Sequence, residues 1–386
     1  MTNVLTNLAA DIYKAADIVG RSAVGIIPSV TINAGSEAAA QGDTVRAHFT
    51  RAPVVNTSAS PSMTIPEGDS QTIDNKTMTV SQIARVSIPW TGEDIKHVNN
   101  GSGYETIYGD QIAQAMNGIV TAIENYLATT IYRGASRAFG TAGTTPFASN
   151  FDPIAEVRQI LFDNGMPVND GRLSLVLNSL AGTNLRQLAQ LQRVNESADS
   201  TMLRRGTLLD LQGFMLRESA GIVSHTAGSG TGTLVNGAEA AGETTVTYDT
   251  MTPGATGIRA GDVITFAADT VNRYVVNTGS TTATGNIVIG GPGLRVAIPD
   301  NNAISIGATY TANLAFHQSA VELVMRPLAK PIGGDAAVDM MTVQDPVSGL
   351  VFQLSVYKGY NKAMIDITCL YDARVWKSEA VAILLG

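Results

Sequence analysis

Apolar residues recur at helical spacing in two stretches of the chain. In the first, Val4, Leu8, Ile12, Ala16 and Val19 fall on one side of a helix, with Asp11 and Lys14 on the other. Gly20 supplies a stop, so the pattern predicts an amphipathic N-terminal helix, either an arm or an ordinary first helix packed on its own domain. The second stretch is "GYETIYGDQIAQAMNGIVTAIENYLATTIYRGASRA". There Ile112, Met116, Ile119, Ile123, Leu127 and Ile131 step by three or four, and Ala115, Ala122 and Tyr126 widen the stripe. At ~1.5 Å per residue this helix would be on the order of 40 Å long, the length of a spine. Gly118 within it costs about 1 kcal/mol against Ala. Arg133 and Arg137 are expected near its C-terminal end, where they favour the helix dipole.

Between the two helices the period changes to two. Met78, Val80, Ala84, Val86, Ile88 and Trp90 alternate, interrupted by Gln82, and read as one half-buried strand. Before them, "PVVNTSASPSMTIPEGDSQTIDN" is rich in turn-forming residues. Together these predict a long two-stranded arm with a loop at its tip. Such a ribbon is marginal alone and needs a surface to lie on.

Past the spine helix, "GTAGTTPFASNFDP" is a linker, and Asp152-Pro153 opens a helix with a cap and a first-turn proline that ends at "FDNG". "RLSLVLNS" reads as a buried strand and "AGTNLRQLAQLQRV" as a helix. "LRRGTLLDLQGFMLRESAGI" reads as strand with a turn at Gln212-Gly213. From residue 225 to 311 Gly and Thr dominate and no helical period survives. The strands expected there are "GTLVNG", "TTVTYD", "GDVITFA", "RYVVNT", "NIVIGG", "LRVAIP" and "AISIGA". Their short, even spacing predicts a small β-barrel or sandwich. Within it, "AGDVITFAADTVNRYVV" reads as two strands joined by a polar turn. "NLAFHQSAVELVMRP" then reads as helical and mixed, which makes the β-module an insertion with its ends close together. The last stretch predicts two strands joined near residues 358–361 and a short apolar end. The fold class is α+β.

Composition narrows the picture. At 386 residues the chain exceeds one compact core, so at least two packed units are expected. Charged residues are 15%, against roughly 25% in ordinary soluble domains. A surface so poor in charge suits contacts between copies. The formal net charge of −8 argues against a dedicated nucleic-acid binder, although an acidic protein can still line a space that holds DNA. Cys369 is the one cysteine, so no intramolecular disulfide or cysteine-rich zinc site is expected. Its setting, "MIDITCLYD", reads as a buried strand. The N-terminus does not read as a signal peptide, and no apolar run approaches the ~18 residues of a membrane span.

Catalytic chemistry is not evident. His48, His97, His225 and His317 share no ligand spacing, and phosphate-loop and nucleophile-elbow motifs are missing. "GSGTG" at residues 228–232 is followed by a strand where a dinucleotide site needs a helix, so it reads as a linker. Asp262 at a strand start suits a turn, and Met116 suits the core. No catalytic residue, cofactor or metal is expected. Three classes stay open: a self-assembling structural protein, a β-rich carbohydrate-active hydrolase or lyase, and a surface adhesin. An adhesin would repeat its β-module, and an enzyme would cluster polar residues in one motif.

The order of these stretches resembles a known family. "GATGIRAGDVITFA", "LRRGTLLDLQGFMLRES", "KSEAVAILLG", "ASRAFGTAGTTPFAS" and the spine stretch are similar, in the same order, to segments of tailed-phage major capsid proteins of the phage P-twenty-two type. The resemblance implies the Hong-Kong-ninety-seven fold carrying an inserted β-barrel. It divides the chain into an N-terminal arm (1–39), an extended loop with flanking strands (40–94) and a spine-helix domain (95–150). An A-domain first part (151–223), the inserted barrel (224–312) and a return (313–386) complete the division. It also implies an icosahedral shell of pentamers and hexamers, a scaffolding protein, a portal ring and enclosed double-stranded DNA. The location would be the virion, after assembly in the host cytoplasm, with no membrane. Expected subunit contacts are Pro61, Met63, Pro66, Glu67 and Asp69 at the loop tip, and Ile12 and Val19 on the arm. Only "AEAAGE" lies between "LVNG" and "TTVTYD", so a long capsomer-bridging loop of the type protein is missing. The insertion is therefore expected to stabilise its own subunit.

Overall fold

The computed structural model describes residues 25–35, 37–50, 63, 73–99, 104–192, 210–344 and 349–386. The expected N-terminal helix lies outside them. After a short turn at Ile27–Ser29 comes β1 (Thr31–Ala34). The next two strands, β2 (Thr44–Thr50) and β3 (Ile73–Thr79), form an antiparallel ribbon in register from Thr44↔Thr79 to Thr50↔Ile73. β4 (Gln82–Thr91) follows. The single strand expected over residues 78–90 is thus two. The break has a physical cause. The Val80 amide donates to the Asp43 carbonyl, while the Ser81 amide and hydroxyl both donate to the Asp372 carboxylate. The chain leaves the ribbon there and enters a different sheet.

A short helix, α1 (Gly92–Asn99), leads to the spine, α2 (Tyr104–Arg133). All six residues of the expected stripe, Ile112 to Ile131, are buried. Gly118 and Ala122 face solvent, so Ala122 does not widen the stripe. Arg137 is not on the helix: it belongs to β5 (Arg137–Phe139) and is buried. Then come α3 (Asp152–Asp163), β6 (Leu173–Leu177), α4 (Ser179–Gln187) and α5 (Ala189–Gln192). Phe151, not Asp152, is the cap of α3, and Asp152 sits in the first turn with Pro153. Asn178 caps α4 by accepting the Ala181 amide. The expected single helix over 181–194 is cut by Leu188, whose backbone is extended. At Gln212-Gly213 both φ angles are positive, 51° and 85°, which fits a tight hairpin turn into β7 (Phe214–Glu218).

The Gly- and Thr-rich region holds β8 (Ser224–His225), β9 (Leu234–Val235), β10 (Thr245–Asp249) and β11 (Val263–Phe266). It continues with β12 (Asp269–Thr278), β13 (Gly285–Ile289) and β14 (Ile304–Ile306). Six of the seven expected strand stretches therefore carry a strand. The seventh, "LRVAIP", makes only the bridge Glu239↔Ile298, while Leu294 and Ile298 point into the core. The turn between β11 and β12 is Ala267-Ala268, small rather than polar.

The stretch expected to be helical and mixed is instead β15 (Tyr310–His317), one short turn, and β16 (Val321–Arg326). Seven of the eight β15 residues are buried. A strand covered on both faces is a continuous apolar run and loses the alternation that identifies strands. The chain ends with β17 (Ala337–Gln344), β18 (Val351–Gly359), β19 (Lys362–Val375) and β20 (Val381–Leu385).

The described residues make an α+β molecule. In a six-stranded sheet β19 is the axis. β4 runs along one edge of it, and β18 and β16 share the other, extended by β17 and β1. The larger sheet runs β7-β6-β15-β20-β5-β12-β13-β10-β9. Its two halves meet at one residue pair, Arg137↔Tyr274. The spine helix packs its stripe against residues of both sheets. α3 and α4 cover another face around β6. A separate core, with Phe266, Tyr274, Val276 and Ile287 fully buried, lies among β9 to β14.

Candidate assembly surfaces and polar centres

The β2–β3 ribbon is a two-stranded sheet of its own. Along it Thr44, Arg46, His48, Asn75, Lys76, Thr77 and Thr79 are exposed, Val45 and Ala47 are half-buried and Met78 is buried. Its base is fastened by Met78 and Val80 packing against Val324, Leu370 and Trp376. The Lys76 ammonium donates to the Trp376 carbonyl and the Arg374 guanidinium to the Thr77 carbonyl. Beyond the ribbon, Met63 stands fully exposed, at 105% of its reference area. Of the expected contact residues only Met63 is described; Pro61, Pro66, Glu67, Asp69, Ile12 and Val19 lie outside the described residues. Phe162, Val271, Ile332 and Tyr360 are further large apolar side chains open to solvent. Sequence periodicity offers no signal for these four.

Three buried polar centres hold the elements together, and none was legible in the sequence. In the first, Glu124 projects from the buried side of the spine helix, among Val120, Leu127 and Ala128, and is only 3% exposed. Its carboxylate accepts from the Ile26 and Ile27 amides, at 2.7 and 3.1 Å, and from the Ser219 hydroxyl at 2.7 Å. A Cβ on Gly221 would lie 2.6 Å from the Glu124 Cγ, so only glycine allows this approach. Burial raises the Glu124 carboxyl above its ordinary range, against the opposing pull of those donors.

The second centre is His225 on β8. Its Nε2 lies 2.7 Å from Asp262 Oδ1, and its Nδ1 lies 3.4 Å from the Tyr132 hydroxyl of α2. Asp262 also accepts the Gly228 and Arg259 amides. It therefore takes the turn role expected of it and also holds the imidazole. Both side chains are almost fully buried. Tyr310 donates to the Gly261 carbonyl, and burial holds its hydroxyl well above the usual tyrosine range, with Tyr132 and Asp262 adding to the effect. With every Asp262 contact a hydrogen bond to the fold, the dyad ties the end of α2 to the β-rich region.

Arg137 is the third. Its guanidinium donates to Asn272 Oδ1, Asn164 Oδ1 and the Ile160 carbonyl, while its Nε is buried without a partner. Burial lowers its pKa, and Arg295 nearby lowers it further. Asn272 donates in turn to both oxygens of Asp269. A positive charge on β5 and a negative one on β12 are thus joined through an amide at the point where the two halves of the sheet meet.

A serine, a histidine and an aspartate also align: Asp170 Oδ2 to His317 Nε2 at 2.7 Å, and His317 Nδ1 to Ser319 Oγ at 2.8 Å. The Ser319 amide donates to the same ring nitrogen. The imidazole thereby caps the turn at Gln318–Ala320, and that amide is not free to stabilise an oxyanion. The hydrogen bond from His317 holds Asp170 below the usual carboxylate range. Cys369 is buried in β19 as expected, and burial pushes its thiol up to about 12. Among the described residues, no group of three or more His, Cys, Asp or Glu side chains is placed to hold a metal ion. No helix of the described residues is long and apolar enough to cross a membrane.

No protein-family model matches the chain, and no curated protein matches it. Solved structures to which it is similar include one titled "Mycobacterium phage Che8", at 15% identity over 89% of this chain and 84% of that one, with a TM-score of 0.48. Another is a capsid structure of the cyanophage P-SCSP1u, at 11% identity, 92% and 86% coverage and a TM-score of 0.49. A third is the asymmetric unit of the bacteriophage PhiM1 mature capsid, at 12% identity, 92% and 85% coverage and a TM-score of 0.46. All three scores lie below the level at which a shared fold is established.

Proposed function

We propose that this chain is the major capsid protein of a tailed double-stranded DNA bacteriophage, a structural and non-enzymatic subunit. The observation that carries the reading is the β2–β3 ribbon. It extends roughly 24 Å at ~3.4 Å per residue, with Thr44, Arg46, His48, Asn75, Thr77 and Thr79 on an open face and Val45, Ala47 and Met78 on the face that packs on the chain. A two-stranded ribbon of this kind gains stability by lying on a partner. A protein that keeps one uses it to reach another molecule. The low charge of the chain agrees, since little charge must be desolvated when copies meet. The colinear sequence resemblance names the assembly: an icosahedral shell of pentamers and hexamers with the Hong-Kong-ninety-seven fold, built with a scaffolding protein and a portal ring around the genome.

In this proposal the chain divides as the resemblance implies, with residues 224–312 as an inserted barrel stabilising its own subunit. Met63 and its neighbours Pro61, Pro66, Glu67 and Asp69 touch an adjacent subunit, as do Ile12 and Val19. The subunit assembles in the host cytoplasm and resides in the virion. The test is negative-stain electron microscopy of the purified chain, with and without co-expressed neighbouring phage genes. Closed shells, tubes or spirals are expected. Deleting residues 61–69 should leave a folded subunit that assembles poorly; a lasting small monomer from the intact chain, or full shell yield from the deletion, would overturn the reading.

A further inference from the structure

A cleft of about 860 Å³ opens between the end of α2 and the loops at residues 255–260 and 279–282. Its size lies within the ~300–1,000 Å³ typical of small-molecule sites, but its chemistry is not the usual apolar lining. Arg133 and Arg259 stand on its wall with a series of hydroxyls, among them Thr226, Ser280, Thr281 and Thr282. No carboxylate lines it among the described residues. That is notable in a chain with 33 acidic and 25 basic residues. The Asp262 carboxylate is held by hydrogen bonds to His225 and to the Gly228 and Arg259 amides.

Both guanidiniums face open space. Arg133 is exposed and rests over the Tyr132 ring, 5.8 Å from its centroid. Arg259 spends one Nη on the Thr226 carbonyl at 3.3 Å and is otherwise exposed. The cleft floor is rigid, because the His225–Asp262 dyad and the Tyr310 bond to Gly261 fix the backbone beneath it. Two planar cations beside the Thr226 and Thr281 hydroxyls recognise tetrahedral oxyanions, while the Ser280 hydroxyl accepts from Tyr248 and the Thr282 hydroxyl donates to the Thr284 carbonyl.

From this we infer that the cleft binds phosphate groups. The phosphate is free in solution or carried on a nucleic-acid backbone; both present the same oxygens to Arg133 and Arg259. This site is independent of the assembly surfaces, so the shell reading can fail while this one holds.

The experiment is isothermal titration of the unassembled full-length chain at low ionic strength. The probes are inorganic phosphate and, in a second arm, a single-stranded oligothymidylate without a terminal phosphate. Chloride at matched ionic strength is the control. Binding of either probe, weakened about tenfold or more in R133A/R259A, is expected, since hydrogen bonds to charged groups are worth roughly 1.5–3 kcal/mol. Both residues are exposed, so an unchanged melting curve certifies the fold of the variant. Binding of inorganic phosphate alone would assign the cleft to small anions, and binding of the oligonucleotide would extend it to the phosphodiester backbone. Binding of neither probe, or binding that R133A/R259A leaves intact, would overturn the inference.

Discussion

The β2–β3 and β11–β12 ribbons are both antiparallel and both begin from plain strand sequence. "VITF" and "RYVV" in the second place Ile264, Phe266, Tyr274 and Val276 in a closed core, under cover of β13 and β14. "TVRAHFT" and "IDNKTMT" in the first put Thr44, Arg46, His48, Asn75, Thr77 and Thr79 on an exposed face and pack Val45, Ala47 and Met78 on the rest of the chain, and no third strand pairs with them among the described residues. The difference lies in the side chains, since the pairing geometry is shared. The β11–β12 ribbon is closed within a core, whereas β2–β3 is anchored on one face and leaves a polar face open.

Four substitutions probe that contrast. The largest effect is expected from Phe266→Ala, which should cost about 3–5 kcal/mol in urea unfolding of the soluble subunit, through lost burial and a cavity. A loss below about 1 kcal/mol would mean that the β11–β12 core is not the closed structure described. The next effect concerns how the chain leading into the exposed ribbon is fastened. Glu124→Ala strands the Ile26 and Ile27 amides and should cost about 1–3 kcal/mol.

Glu124 also sets a pH dependence. Its folded pKa is raised above the ordinary 4.5, so the folded state binds the proton more tightly than the unfolded chain. Stability should therefore fall as pH rises from 4.5 through the raised value, and level off above it. Glu124→Gln should remove that slope. An unaltered pH profile of unfolding in this variant would exclude Glu124 as its source. The smallest effect on the subunit belongs to Met63→Asp. Its unfolding should change by no more than about 0.5 kcal/mol, while shell yield in electron micrographs falls. A destabilised subunit would show that Met63 is packed within its own chain.

What the sequence disclosed follows the same contrast. The spine helix was legible because one long amphipathic face writes its period into thirty residues. The six strands among β9 to β14 were legible from turn residues at short intervals. β15 and β16 were not, because burial on both faces erases alternation. The break at Val80 and Ser81 depends on Asp43 and Asp372, far away in the sequence. The polar centres were hidden for the same reason. Glu124 is 98 residues from Ile26 and His225 is 37 from Asp262, and each residue taken singly looks like an ordinary surface residue. A period reveals which face of an element is buried, but it does not reveal which distant side chain meets that face.

The position of β20 governs when the molecule can fold. It lies between β15 and β5 in the larger sheet, yet among the described strands it comes last along the chain. β1 and β4 wait in the same way for residues 321–326 and 362–375. A nascent chain of three hundred residues therefore holds apolar strands whose neighbours have not been synthesised, and the sheets cannot close in the order of translation. Such chains attract chaperones and associate wrongly when crowded. The interval between translation of the first strand and docking of the last is therefore the period in which the chain is most vulnerable.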